Sequence, residues 1–173
     1  MAIEFPFRVA ITSRIRLEAA FWRHGATHVL SLVDPGKAIW RRHQLPKERH
    51  VTLRFEDDTN PSLLLAPRRE HVESILAFGR AIEPGSVLLA HCEAGISRSP
   101  AAVFLVLAQA LGREHATAAL EETYRVRDIA NPNALMVALG AEILGWPELP
   151  EVLAEGVRRF SGYDLPPAGR GHA

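Results

Sequence analysis

The chain has one cysteine, two lysines and two methionines among its 173 residues. A single cysteine excludes an internal disulfide and a cysteine-rich metal site. It fits a reducing compartment, where a lone thiol can be kept for reactivity. Long apolar runs are missing too, for the longest, Ala101 to Ala108, falls far short of a bilayer's thickness. Neither charge sign is in excess, with 20 basic and 20 acidic residues. That balance gives no case for a nucleic-acid surface or an anionic membrane. The first residues, MAIEFPFRVAITSR, lack a basic segment leading into an apolar one, so no secretory signal is expected and the cytoplasm is the expected location. The histidines show no HExxH or comparable ligand spacing, so no metal and no other cofactor is expected.

What is present suits one compact domain, expected over residues 1–160, with a flexible tail over 161–173. Phe7–Ile11, Thr27–Val33, His50–Phe55 and Val87–Ala90 have the composition of strands. Val51, Leu53 and Phe55 alternate with polar residues, whereas Val87–Ala90 is apolar throughout, as in a central parallel strand. Helices are expected over Arg14–His24, with Ile15, Leu17, Ala19, Ala20 and Phe21 as an imperfect apolar face, and over Pro67–Ile82, Pro100–Leu111, His115–Arg125, Asn133–Leu144 and Glu148–Phe160. Ile39–Pro46 has no clear period and reads as an irregular connection. The alternation implies an α/β fold, a mostly parallel sheet of about four to five strands flanked by helices. In such sheets ligands sit at the carboxyl ends of the strands.

Two loops lie at such ends. One joins Val87–Ala90 to the helix from Pro100 and reads HCEAGISRSP. Backbone N–H groups in a turn of this kind can converge on one point, and the helix N-terminus adds its positive end. Gly95 allows a conformation closed to other residues. Arg98 offers a planar fork for two phosphate oxygens. That field favours the thiolate of Cys92, and Ser99 can donate a hydrogen bond to its sulfur. The other reading of Cys92 is an ordinary buried thiol.

HCEAGISRSP resembles the HCxxGxxRS signature of the cysteine-based protein tyrosine phosphatases, in particular their dual-specificity branch. HGATHVLSL is similar to that family's early strand, and RDIANPNALM to its segment two helices after the signature. The resemblance implies a phosphatase-like three-layer sandwich and a phosphomonoester hydrolase working through a phosphocysteine. It implies Cys92 as nucleophile, Arg98 as ligand of the phosphate, Ser99 as an aid to breakdown of the intermediate and His91 as a tuner of the thiolate. The amides of Glu93, Ala94, Gly95, Ile96, Ser97 and Arg98 would hold phosphate oxygens.

The other loop, Glu56-Asp57-Asp58, ends the strand that closes on Phe55. A leaving oxygen needs a proton and the later water needs a base. The family draws both from an aspartate thirty-odd residues before the cysteine, often in Phe-x-Asp. Asp57 fits that pattern and is the preferred acid, with Asp58 the alternative. The loop interior has no basic residue before Arg98, which argues against a highly charged lipid head group, and a Glu93 carboxylate would repel acidic substrates. The expected substrate is therefore a phosphorylated protein, phosphotyrosine first, or a small phosphomonoester, with inhibition by phosphate-like oxyanions. Arg41, Arg42 and His43 form either a second anion contact or a solvated basic turn. The alternative function is a weak or inactive module that binds phosphate or phosphoprotein.

Overall fold

The computed structural model describes residues 3–41 and 45–160. The tail expected from residue 161, and Arg42 and His43, lie outside these residues. Four strands form among them: β1 (Arg8–Ser13), β2 (His28–Val33), β3 (His50–Arg54) and β4 (Val87–Cys92). They pair in the order β1-β4-β2-β3, each pair parallel. Both β2 and β4 are buried along their full length, which is why they read as nearly unbroken apolar runs. Parallel neighbours need crossover connections. These are supplied by α1 (Leu17–His24) between β1 and β2 and by α2 (Arg69–Arg80) between β3 and β4. Then come α3 (Arg98–Leu111), α4 (Ala116–Val126), α5 (Ala134–Leu144) and α6 (Leu149–Phe160).

The two-residue period of the strands sorts their side chains between two cores. Val9, Ile11, Leu30, Leu32, Leu88, Ala90 and Cys92 join the larger core with residues of α2 to α6. Ala10, Val29 and Leu89 face α1 in the smaller one. The result is a three-layer α/β sandwich with very unequal outer layers. Its centre is α3, buried continuously from Arg98 to Ala108. Small residues let neighbours approach it: a Cβ at Gly79 of α2 would lie 2.9 Å from the Val106 side chain, and one at Gly140 of α5 would strike Leu105.

Several boundaries differ from those expected. The fourth strand continues to Cys92 and the helix after it starts at Arg98, so the polar loop is shorter than its sequence suggests. A 3₁₀ turn (Arg14–Arg16) precedes α1, and Ile15, expected on the buried face, is 81% exposed. The second helix starts at Arg69 because Arg68 is extended, with its N–H donated to Nδ1 of His71. Leu105→Ala should lower unfolding free energy by about 2–5 kcal/mol, since a fully buried side chain leaves a cavity its neighbours only partly fill. Urea denaturation measures this.

Candidate active site

The ends of β2, β3 and β4 deliver one residue each to a cavity of about 410 Å³, lined by Asp34, Asp57 and Cys92 together with the loop of residues 93–98 and Glu56. Within that loop five consecutive carbonyls are taken by protein donors. Glu93 O accepts from Arg14 N at 3.2 Å, Ile96 O from Asn131 N at 2.7 Å and Ser97 O from Asn133 N at 3.2 Å. Ala94 O and Gly95 O accept from Arg127, at 3.0 Å from Nη2 and 2.9 Å from Nε. A carbonyl and the N–H of the peptide unit it belongs to point in opposite directions. With the carbonyls held by the surrounding protein, the N–H groups turn the other way, and none from residue 93 to 97 donates to a described protein group. Gly95 has φ +69°, and a Cβ there would lie 2.5 Å from Thr12 O. Only glycine fits that position.

Cys92 is buried, and its Sγ accepts a hydrogen bond from Ser99 Oγ at 3.2 Å. Arg98, only 2% exposed, is fixed through one nitrogen. Its Nη1 pairs with Asp34 Oδ1 at 2.8 Å and donates to Phe55 O, while the guanidinium carbon sits 5.9 Å from the centre of the Phe55 ring. Nε is buried with no partner, and no described group takes Nη2. One whole edge of the guanidinium is thus left for a two-oxygen ligand. Leaving a buried N–H unmet costs about 1–3 kcal/mol, which an oxyanion against Arg98 would recover.

Asp57 lines the cavity, and its Oδ1 accepts from Ser97 Oγ at 2.7 Å and from Asn133 Nδ2 at 2.8 Å. The orientation of Asn133 is determined, because its Oδ1 caps α5 by accepting from Met136 N at 3.0 Å. Its amide nitrogen is therefore the group facing Asp57. Asp58 turns away from the cavity: its carboxylate accepts from Asn60 N at 2.7 Å and its carbonyl from Asn133 Nδ2 at 3.0 Å. Glu93 is bound by Arg14 through Nε at 2.9 Å and Nη2 at 3.1 Å. That pairing holds the Glu93 carboxyl below its usual range and the Arg14 guanidinium above its own. Glu93 is therefore not the free repelling charge expected from the sequence.

His91 is absent from the cavity wall. Facing the α1 side of the sheet, it is fully buried, and its Nε2 lies 2.7 Å from Ser31 Oγ. These two residues are directly opposed in the β2–β4 register. Ser31 Oγ also lies 2.9 Å from His50 Nε2. Burial pushes both histidines down to about 4, so both are neutral at pH 7. The proton order follows from what each atom can do. His91 Nδ1 faces Cys92 O at 3.4 Å, an atom that only accepts, so Nδ1 carries the hydrogen. Nε2 must then accept from Ser31 Oγ, which in turn accepts from His50 Nε2.

The sequence named Cys92, Arg98, Ser99 and Asp57, and the fold brings all four together. It did not name Asp34, Asn133, Arg127 or the Ser31–His50 pair. Asp34 was read only as part of a turn. A polar residue inside the apolar run HVLSLV was the available signal for Ser31, since a buried hydroxyl needs a partner.

No protein-family model matches the chain, and no curated protein is a significant match. Solved structures do resemble it. The Yvh1 phosphatase domain from Chaetomium thermophilum has a TM-score of 0.56 at 23% identity, over 85% of this chain and 96% of that one. Human DUSP28 has a TM-score of 0.56 at 21% identity, over 84% and 90%. The human tyrosine phosphatase-like serine/threonine/tyrosine-interacting protein has 0.53 at 25%, over 79% and 91%. The fold is that of dual-specificity and tyrosine-phosphatase-like structures.

The buried histidines make stability depend on pH. Unfolded, each titrates near 6.5; folded, His91 and His50 titrate near 4. Above 6.5 neither state is protonated at these residues and they add no pH dependence. Between 6.5 and 4 the unfolded chain binds more protons, so stability falls as pH falls, by up to about 1.4 kcal/mol per pH unit for each histidine. His50→Phe should remove one proton's share of that slope, measured by urea denaturation at pH 7, 6 and 5. An unchanged slope would show that His50 is protonated in the fold.

Proposed function

We propose that the chain is a cysteine-based phosphomonoester hydrolase. The observation that carries this reading is the unpartnered Nε edge of the buried Arg98, in a cavity also lined by Cys92 and Asp57. The phosphoryl group sits against the loop, its oxygens taking the backbone N–H groups of residues 93–98 and the free edge of Arg98. The Cys92 thiolate attacks phosphorus and the bond to the ester oxygen breaks. Asp57 delivers its proton to that oxygen as it leaves. In the second step Asp57 takes a proton from water, the resulting hydroxide oxygen bonds to phosphorus, and the S–P bond breaks. Ser99, donating to Sγ, stabilises the departing thiolate.

Asp57 is preferred over Asp58 as the acid because it lines the cavity and leaves Oδ2 without a described protein donor. Phosphotyrosine is the preferred substrate, with small aryl phosphates as its chemical minimum. Phosphate-like oxyanions such as vanadate should inhibit.

Cys92→Ser should abolish hydrolysis of p-nitrophenyl phosphate while inorganic phosphate still binds. Asp57→Ala should reduce turnover of phosphotyrosine by about 10²–10⁴-fold, and that of p-nitrophenyl phosphate less, because nitrophenolate needs little help to leave. Turnover retained by Cys92→Ser would end the reading. Phosphate binding without any turnover by the wild-type chain would identify a binding module instead.

A further inference from the structure

A second cleft, of about 490 Å³, shares Ala94 with the catalytic cavity. Its wall is one face of α1 and the turn before it, where Arg16, Ala20 and Arg23 recur at helical spacing with His24 beside them. Arg127 and Ala94 close it on the loop side, and β1 contributes its last residues. Its polarity is opposite to that of the neighbouring cavity. Three guanidinium groups line it and no carboxylate does, whereas Asp34, Glu56, Asp57 and Glu93 line the other.

Arginines on a helix surface are ordinarily solvated or paired, and three observations set these apart. Neither Arg16 nor Arg23 has an ion-pair or hydrogen-bond partner among the described residues. Arg127 spends Nε and Nη2 on Gly95 O and Ala94 O and keeps Nη1 without a described partner. Ala20 between the two helix arginines leaves room where a larger side chain would fill the cleft. Planar forks converging on such a space suit a tetrahedral dianion better than a planar carboxylate.

We propose that this cleft receives a second phosphoryl group carried by the same substrate whose ester phosphate occupies the Cys92 cavity. The inference rests on the phosphatase reading and adds a substrate class to it: doubly phosphorylated chains, with the two groups separated by the Ala94 ridge. The acidic wall of the first cavity and the basic wall of the second then give the site a direction along the substrate.

The test uses the full chain carrying Cys92→Ser and fluorescein-labelled phosphotyrosine peptides that differ only in a neighbouring serine, glutamate or phosphoserine. Anisotropy should give about tenfold tighter binding of the best phosphoserine peptide than of its serine counterpart, with glutamate in between. The preference should shrink as salt is raised. It should disappear when Arg16→Gln and Arg23→Gln are combined, and fall partway in each single variant. Equal affinity for all three peptides at every neighbouring position would overturn the proposal. So would equal peptide affinities together with a shift of the α1 amide resonances by inorganic phosphate, because the cleft would then take a free anion. Wild-type turnover of p-nitrophenyl phosphate is read separately. Its absence alongside an intact phosphoserine preference would sink the phosphatase reading and leave the second site standing.

Discussion

Five carbonyl oxygens in a row, from Glu93 to Ser97, are turned outward by donors that come from four different parts of the chain. That single constraint produces the site. A peptide unit whose oxygen is fixed on one side presents its N–H on the other, so the loop's inner rim is a ring of donors without a protein acceptor. The cost of holding such a ring is met by remote residues: Arg14 before α1, Arg127 after α4, and Asn131 and Asn133 before α5. Gly95 is what allows the ring to close, because a Cβ would meet the Thr12 carbonyl.

The sheet does the rest of the assembly through its period of two. On β4, Cys92 falls on the face of the large core and His91 on the face of α1. The nucleophile thus stands above a helix-packed floor, while its neighbour reaches down into a buried polar line of Ser31 and His50. Parallel order brings the carboxyl ends together: β2 ends at Asp34, β3 at the loop of Asp57, β4 at Cys92, and β1 at the rim of the basic cleft. No residue needs a long or unusual excursion to arrive there.

Much of this was legible beforehand. Strand runs, helix faces and the HCEAGISRS spacing are local patterns, and local patterns survive in a linear sequence. Asp57 could be found because strand-end position is also nearly local. The supporting residues could not. Asn133 follows a proline in a segment that reads as a helix start, and it does cap α5; that its other amide atom reaches Asp57 depends on the docking of α5 against α3. Asp34 looks like a turn residue and is one. Its pairing with Arg98 arises only because β2 and β4 are neighbours in space. The exposed Ile15 is the converse case, an apolar residue assigned inward by composition and turned outward by a 3₁₀ turn that breaks the helical phase.

The Asp34–Arg98 pair could be read as competition, a carboxylate occupying the group meant for phosphate. The atoms argue otherwise. Asp34 and the Phe55 carbonyl both take Nη1, and the Phe55 ring lies beside the guanidinium. A guanidinium held by one terminal nitrogen and steadied by a ring keeps its opposite edge, Nε with Nη2, in a fixed plane. That edge is the one with a buried, unpartnered hydrogen. A free arginine would lose side-chain entropy on clamping a phosphate, whereas this one has already been ordered by folding. Asp34 therefore acts on Arg98 as the outward donors act on the loop: each spends one side of a polar group on the protein so that the other side is committed to the ligand.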